Sequence, residues 1–270
     1  MTSDPGSARS NHVGFARRLR ESDRCLVGTW VKIPSLETVE ILADAGFDFV
    51  VIDQEHSPLT LDAAYAATVV AQGAGMSALV RVPDRSGSHL QRLLDAGVDG
   101  ILVPRVVGRA MAETAVRQMI FSPAGERGAG ITARAGRWGR LSFPEYLNFG
   151  NDEVMRAVQL EDKESLEAAD EILATPGLNG AFLGMGDLQL STGLPESDDL
   201  IQKLVATFLT AAARHKVPVG TAVQTADEAS RAAARGYSYV MVSNDTSLIR
   251  IAATGLVSDI RQKLKPAVRH

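Results

Sequence analysis

The chain has 270 residues, 45% of them apolar, and a formal net charge of −4. Charge this close to balance excludes the basic footprint of a nucleic-acid binder, and no run of about 18 apolar residues offers a membrane span. The single cysteine, Cys25, excludes an intrachain disulfide framework, suits a reducing cytoplasm and reads as a small buried hydrophobe.

Residues 1–11 are expected to form a disordered tail and 12–270 a single domain, with no apolar h-region to mark a secretory signal. "HVGFARRLRESD" predicts a short helix that plugs or flanks the rest of the domain. "LVGTWVKI" is a strand ending at Lys32. "LETVEILADAGFDFVVID" then introduces a grammar of helix, glycine, polar residue and strand, which returns in "HLQRLLDAGVDGILVP", "ADEILATPGLNGAFLG" and "ASRAAARGYSYVMVS". Gly46, Gly97, Gly177 and Gly236 fall where a left-handed helix cap is needed. Asp48, Asp99, Asn179 and Ser238 follow two residues later. Each strand is a short apolar run, as expected of a strand covered on both faces.

"SALVRVP", "MRAVQLE" and "VPVGTAV" bring the strands to eight, separated by helical patterns such as "LDAAYAATVVAQG" and "MAETAVRQMI". This alternation predicts an α/β protein with a (β/α)8 TIM barrel and a short N-terminal helix. The alternative, a doubly wound sheet, lacks a GxGxxG after any strand. Between "AETAVRQMI" and "MRAVQLE" runs a connection of about thirty residues, long enough to need a reason. It carries Arg127, Arg134, Arg137 and Arg140 among glycines. It is either a solvated loop with a short helix at "FPEYL", or a lid or oligomer contact.

Barrels place chemistry at the C-terminal ends of their strands. Those ends deliver Lys32, then Asp53, Glu55 and His56 in "VVIDQEHSP", then Arg81, Pro104, Arg105, Glu161 and Asp187. Arg81 interrupts an apolar strand with a permanent charge, so it needs an anion: a structural carboxylate, or a substrate carboxylate or enolate. Glu161 and Asp187, from neighbouring strands, offer two oxygen ligands to a hard divalent ion, although helix N-caps use the same residues. His56, beside Pro58, also suits a structural turn. His12, His89, His215 and His270 read as helix-surface or terminal residues.

Taken in order, "AGFDFVVIDQEH", "LLDAGVDGILVPRV", "SPAGERGAG", "RAGRW" and "VQLED" resemble the metal-dependent pyruvate aldolases of the HpcH/HpaI family, 4-hydroxy-2-oxoheptanedioate aldolase-like enzymes of class II. The likeness covers most of the chain. It implies a (β/α)8 barrel in a homo-oligomer, commonly a hexamer. It also implies a divalent ion (Mg2+, Mn2+ or Co2+) on Glu161 and Asp187, and reversible cleavage of a 4-hydroxy-2-oxo acid to pyruvate and an aldehyde. Arg81 matches the arginine that steadies the enolate oxygen. His56 matches the catalytic histidine and Asp95 its carboxylate partner. Gln159 would lie near the pyruvate, and the backbone of Gly186 and Asp187 would hold the pyruvate carboxylate.

Two departures bear on substrate choice more than on reaction type. Gly184-Met185-Gly186-Asp187-Leu188-Gln189 stands where relatives read Gly-Pro-x-Asp-Leu-Ser, and Lys32 occupies a variable position. Asp95 ends the helix after the third strand, at the opposite barrel end from His56. A neighbouring subunit is therefore expected to supply it, unless it is merely a helix-end carboxylate like Asp44. Three alternatives stand beside this reading. A Schiff-base route would use Lys32 or Lys163. An acyl-CoA ester lyase of the malyl or citramalyl type would need a nucleotide groove, for which the arginine-rich connection is the candidate. A non-enzymatic scaffold would be marked by loss of Glu161, Asp187 or Arg81.

Overall fold

In the computed structural model, which describes residues 12–264, every strand pairs in parallel with the next and the last pairs with the first. The tail expected over residues 1–11 lies outside the described residues. The strands are β1 (Leu26–Val31), β2 (Phe49–Asp53), β3 (Ser77–Arg81), β4 (Gly100–Val103), β5 (Met155–Leu160), β6 (Gly180–Leu183), β7 (Val219–Val223) and β8 (Tyr239–Asn244). Because β1 pairs with both β2 and β8, the sheet is a closed barrel and not a doubly wound one. The helices are α1 (Phe15–Glu21), α2 (Leu36–Asp44), α3 (Leu61–Gly73), α4 (Gly87–Asp95), α5 (Arg109–Met119), α6 (Phe143–Asn148), α7 (Lys163–Glu167), α8 (Ala169–Leu173), α9 (Met185–Thr192), α10 (Asp199–His215), α11 (Ala226–Ala234) and α12 (Asp245–Lys263).

Alternation along the strands sends one set of side chains inward. Trp30, Phe49, Val51, Leu79, Leu102, Met155, Ala157, Phe182, Tyr239 and Met241 form a buried cluster of their own inside the ring. Glycines make room for the largest of them: a Cβ on Gly28 would lie 2.4 Å from the Phe49 ring, and one on Gly220 2.1 Å from the Tyr239 ring. Helix α1 plugs the N-terminal end, one of the two placements expected of it. The Phe15 ring sits 4.7 Å from Phe49 and meets Tyr239 edge-on at 5.9 Å.

The repeated grammar has a physical basis at this end. The four cap glycines all have φ between 80° and 97°. The polar residue after three of them accepts a backbone N–H from the strand before: Asp48 from Val27 at 2.9 Å, Asp99 from Ala78 at 2.8 Å, and Asn179 from Arg156 at 2.6 Å. The fourth, Ser238, accepts the Leu26 N–H through its backbone carbonyl. His12, expected to be a terminal surface residue, is instead hydrogen-bonded to buried Asp99. Cys25 is half-buried, less enclosed than its composition-based reading.

All strands enter the barrel from the same end, so the long connection before β5 lies at the N-terminal end and cannot cover this chain's own mouth. Most of its residues are exposed or half-exposed, but a few buried ones anchor it. Arg127, 2% exposed, lies 4.2 Å over the Phe121 ring and 5.8 Å from the Tyr146 ring, and pairs with Asp95 at 3.2 Å. The expected short helix is α6, started by Ser142 and Glu145 in a capping box. Helix α12 is exposed along nearly its whole length, and Ile249, Ile251, Leu256, Val257, Ile260 and Leu264 face outward. Its first residue, buried Asp245, accepts the N–H groups of Lys32 and Ile33, each at 2.9 Å. Among the described residues no helix is long and apolar enough to cross a membrane.

Candidate active site

Asp53, Arg81, Gln159 and Glu161 continue the inward-facing rows of Val51, Leu79 and Ala157 by one or two steps of two. The alternation that fills the lumen with apolar side chains therefore ends, at the mouth, in charge. Asp53 and Arg81 are register partners of β2 and β3. Nε and Nη2 of Arg81 donate to the two Asp53 oxygens at 3.0 and 2.8 Å, and Nη1 lies 3.4 Å from Glu55. The guanidinium plane rests 4.1 Å from the Trp30 ring, which meets Phe182 edge-on beneath it. The hydrogen bonds to Asp53 occupy two of the five N–H donors, and the other three make no hydrogen bond among the described residues.

Asp53 is fully buried and is the hub of the rim. It also accepts the backbone N–H groups of Glu55 and His56, each at 3.1 Å, and lies 3.2 Å from the Lys32 ammonium. Burial alone would raise its carboxyl, but the hydrogen bonds and charge of Arg81, with the His56 N–H and Lys32, hold it below the ordinary carboxylate range. Lys32 is thus committed to an ion pair, and Lys163, paired with Glu167 at 3.6 Å on α7, is half-exposed. Neither is the desolvated amine that a Schiff base requires.

Glu161 closes the other side. One oxygen accepts the Arg105 N–H at 2.8 Å and the other is hydrogen-bonded by the Gln159 amide. Burial pushes its carboxyl above the ordinary range, and the nearby charges of Asp187 and Glu55 push the same way, outweighing those two donors. Gly184 makes the space: a Cβ there would lie 2.6 Å from Glu161 Cβ, 3.1 Å from Oε2 and 3.2 Å from the Gln159 amide nitrogen. Asp187 and Gly186 are exposed in the first turn of α9, whose backbone N–H groups are a ready anion site. Met185 packs half-buried against the core.

His56 is at the mouth, 55% exposed, with Nε2 at 3.6 Å from Glu55. Asp95 is not there. It ends α4 at the far end of the barrel, where Gln91 donates to it at 2.7 Å and Arg127 holds it. The expected His56–Asp95 pair is not formed within one chain.

Three residues expected at the rim but given no role from the sequence shape the site: Asp53, Glu55 and Arg105. Arg105 Nη2 reaches Glu55 at 3.0 Å. Asp53 and Glu55 are visible in the sequence as acids at a strand end, but nothing there tells a holder of Arg81 from a ligand. The left-handed backbone of Arg105, φ 55°, has no sequence signal at all.

The rim thus carries Lys32, Arg81 and Arg105 against Asp53, Glu55, Glu161 and Asp187, one negative charge in excess. Among the described residues no three His, Cys, Asp or Glu side chains are arranged to hold a metal. Two carboxylates on one side of the mouth leave the remaining positions to water and substrate, which suits a hard dication. The buried Oε1 of Gln159, without a hydrogen-bond partner among the described residues, adds an uncommitted oxygen beside them.

The sequence profile of the HpcH/HpaI aldolase/citrate lyase family matches residues 26–252. The chain belongs to this family. An HpcH/HpaI aldolase from Desulfitobacterium hafniense superposes with a TM-score of 0.87 at 27% identity, over 96% of this chain and 100% of that one. A family protein from Burkholderia cenocepacia gives 0.84 at 30% identity, over 91% and 98%. The 2-keto-3-deoxy-L-rhamnonate aldolase of Escherichia coli is 32% identical over 237 residues, covering 87% of this chain and 88% of that protein. As an HpcH/HpaI member this chain is a carbon–carbon lyase of the class II aldolase/lyase type.

Proposed function

We propose that the chain reversibly cleaves a 4-hydroxy-2-oxo acid to pyruvate and an aldehyde, with Mg2+, Mn2+ or Co2+ held by Glu161 and Asp187. The observation that carries this reading is the buried Glu161, crowded by Asp187 and Glu55 and facing a rim that also holds Arg81. A dication bound there supplies Lewis-acid polarisation of a keto oxygen. The first turn of α9, at Gly186 and Asp187, binds the substrate carboxylate through its N–H groups. The N–H groups of Arg81 that Asp53 does not take hold the negative charge that develops on the keto oxygen when the carbon–carbon bond breaks. His56 moves the proton, directly or through water. Gln159 steadies Glu161 through its amide, and Trp30 and Phe182 close the floor against water.

The similarity to a 2-keto-3-deoxy acid aldolase supports an oxo-acid substrate. Within one chain the arginine-rich connection, the candidate nucleotide groove of an acyl-CoA lyase, lies at the barrel end opposite the mouth. We place the enzyme in the cytoplasm, in keeping with one half-buried cysteine. We also propose a homo-oligomer, of hexameric type, in which Asp95 of one subunit reaches His56 of the next. The outward apolar residues of α12, with exposed Trp138 and Phe143 on the long connection, support such burial between copies.

Exchange of the pyruvate methyl protons for deuterium, followed by NMR, tests this without knowledge of the aldehyde. Exchange should require added divalent ion and should vanish in Glu161→Gln. It should fall by roughly a hundredfold or more in Arg81→Ala, as for other oxyanion donors. Exchange that survives a chelator, or near-normal turnover by Arg81→Ala, overturns the reading.

A further inference from the structure

The segment after β4 contains a non-glycine residue in the left-handed region, Arg105, with φ 55°. Its side chain is 65% exposed, so packing does not force this conformation. Its backbone explains it. In an extended strand successive N–H groups point to opposite neighbours. Here two successive N–H groups both reach β5: Arg105 donates to Glu161 Oε1 at 2.8 Å, and Val106 donates to the Gln159 carbonyl at 3.3 Å. Only a turned backbone at residue 105 presents both at once, in the manner of the backbone nests that hold anions. The guanidinium leaves in another direction, to Glu55 at 3.0 Å and the Pro83 carbonyl at 3.5 Å, while the Arg105 carbonyl accepts from Arg85 at 3.4 Å. One residue thereby ties together the ends of four strands.

We propose that Arg105 is a positioning residue whose left-handed backbone fixes the Glu161 carboxylate in its metal-binding orientation, separately from the guanidinium, which fixes Glu55. The inference rests on Glu161 being a metal ligand. It makes the backbone, not the side-chain charge, decisive for ion affinity. Replacements at residue 105 then rank by their tolerance of positive φ, with glycine and asparagine above alanine and alanine above valine.

The test is Mn2+ affinity of the full chain, by electron paramagnetic resonance or calorimetry, in wild type, Glu161→Gln, Arg105→Gly, Arg105→Asn, Arg105→Ala and Arg105→Val. Melting curves identify the folded variants. Arg105→Gly and Arg105→Asn should stay within about threefold of wild type, because both accept the left-handed conformation. Arg105→Val should bind roughly tenfold more weakly while still folded, given the cost of that conformation for a branched side chain. If Arg105→Val does not fold, Arg105→Ala takes its place against Arg105→Gly. Equal binding by the glycine and valine variants, or weaker binding by glycine, overturns the inference while the metal site stands. Wild-type binding by Glu161→Gln overturns the metal reading and this inference with it.

Discussion

The carboxylate of Asp53 and the guanidinium of Arg81 face each other squarely across β2 and β3, two oxygens against two nitrogens at 3.0 and 2.8 Å, both nearly sealed from solvent. Breaking a buried pair by removing one charge costs about 3–5 kcal/mol. Asp53→Asn should therefore lower the melting temperature sharply and free Arg81 from its set angle. Asp53 is held below the ordinary carboxylate range, so its stabilisation is present above that range and is lost as pH falls through the lowered value. Denaturant titrations from pH 6 downward should show a steeper loss in wild type than in Asp53→Asn. Equal slopes would show that this pair does not stabilise the fold.

Gly184 tests the Glu161 pocket from the opposite wall. Alanine there would place a methyl group 2.6 Å from Glu161 Cβ. Overpacking of this kind costs about 1–3 kcal/mol, and the displaced group is the proposed ligand. Gly184→Ala should lose Mn2+ affinity more than it loses stability, as read by calorimetry beside thermal melts.

Glu161→Gln removes one of three crowded carboxylates. In chelator the variant should melt higher than wild type, because burial and the neighbouring Asp187 and Glu55 disfavour its charge. Added Mn2+ should then raise the wild-type melting temperature and leave the variant's unchanged. A variant that melts lower in chelator would show that the carboxylate is structural.

His12 carries a pH dependence at the other end of the barrel. Burial lowers its pKa, and so do Arg134 and Arg137, but the hydrogen bond and charge of Asp99 outweigh them and the net shift is upward. A histidine raised in the folded state stabilises fully below its unfolded value, about 6.5, and loses that contribution as pH climbs through the raised value. Wild type should lose stability on passing from pH 6 to pH 9, and His12→Ala should lose less. Parallel curves would remove His12 from the account.

Asp95 and His56 give a test of assembly. Within one chain they occupy opposite ends of the barrel, so His56→Ala and Asp95→Ala proteins should each be inactive alone. Mixed after dissociation and reassembled, they should regain activity from sites that combine two intact halves. No recovery in mixed oligomers confirmed by mass would leave Asp95 as the anchor of Arg127.

The barrel is legible in the sequence because its signals are local: a cap glycine, a polar acceptor and an apolar run, repeated around the ring. Glu161 and Arg81 are legible because a charge ending a buried strand needs an explanation. The acceptors' true partners, the N–H groups of Val27, Ala78 and Arg156, lie about twenty residues away and emerge only with the register. Arg105 is hidden because its role lies in a dihedral angle that its side chain does not advertise. The long connection reads equally well as a lid for lack of one fact, the end of the barrel on which it lies.

The acceptors that lock three strands to their neighbours have no side-chain counterpart at the fourth unit. Ser238 meets Val219 and Leu26 through main-chain groups alone, at 2.8 and 3.0 Å. The staves from Val219 to Asn244 lack a tie that the other three units share, and their amides are expected to trade protium for deuterium before those of the other units.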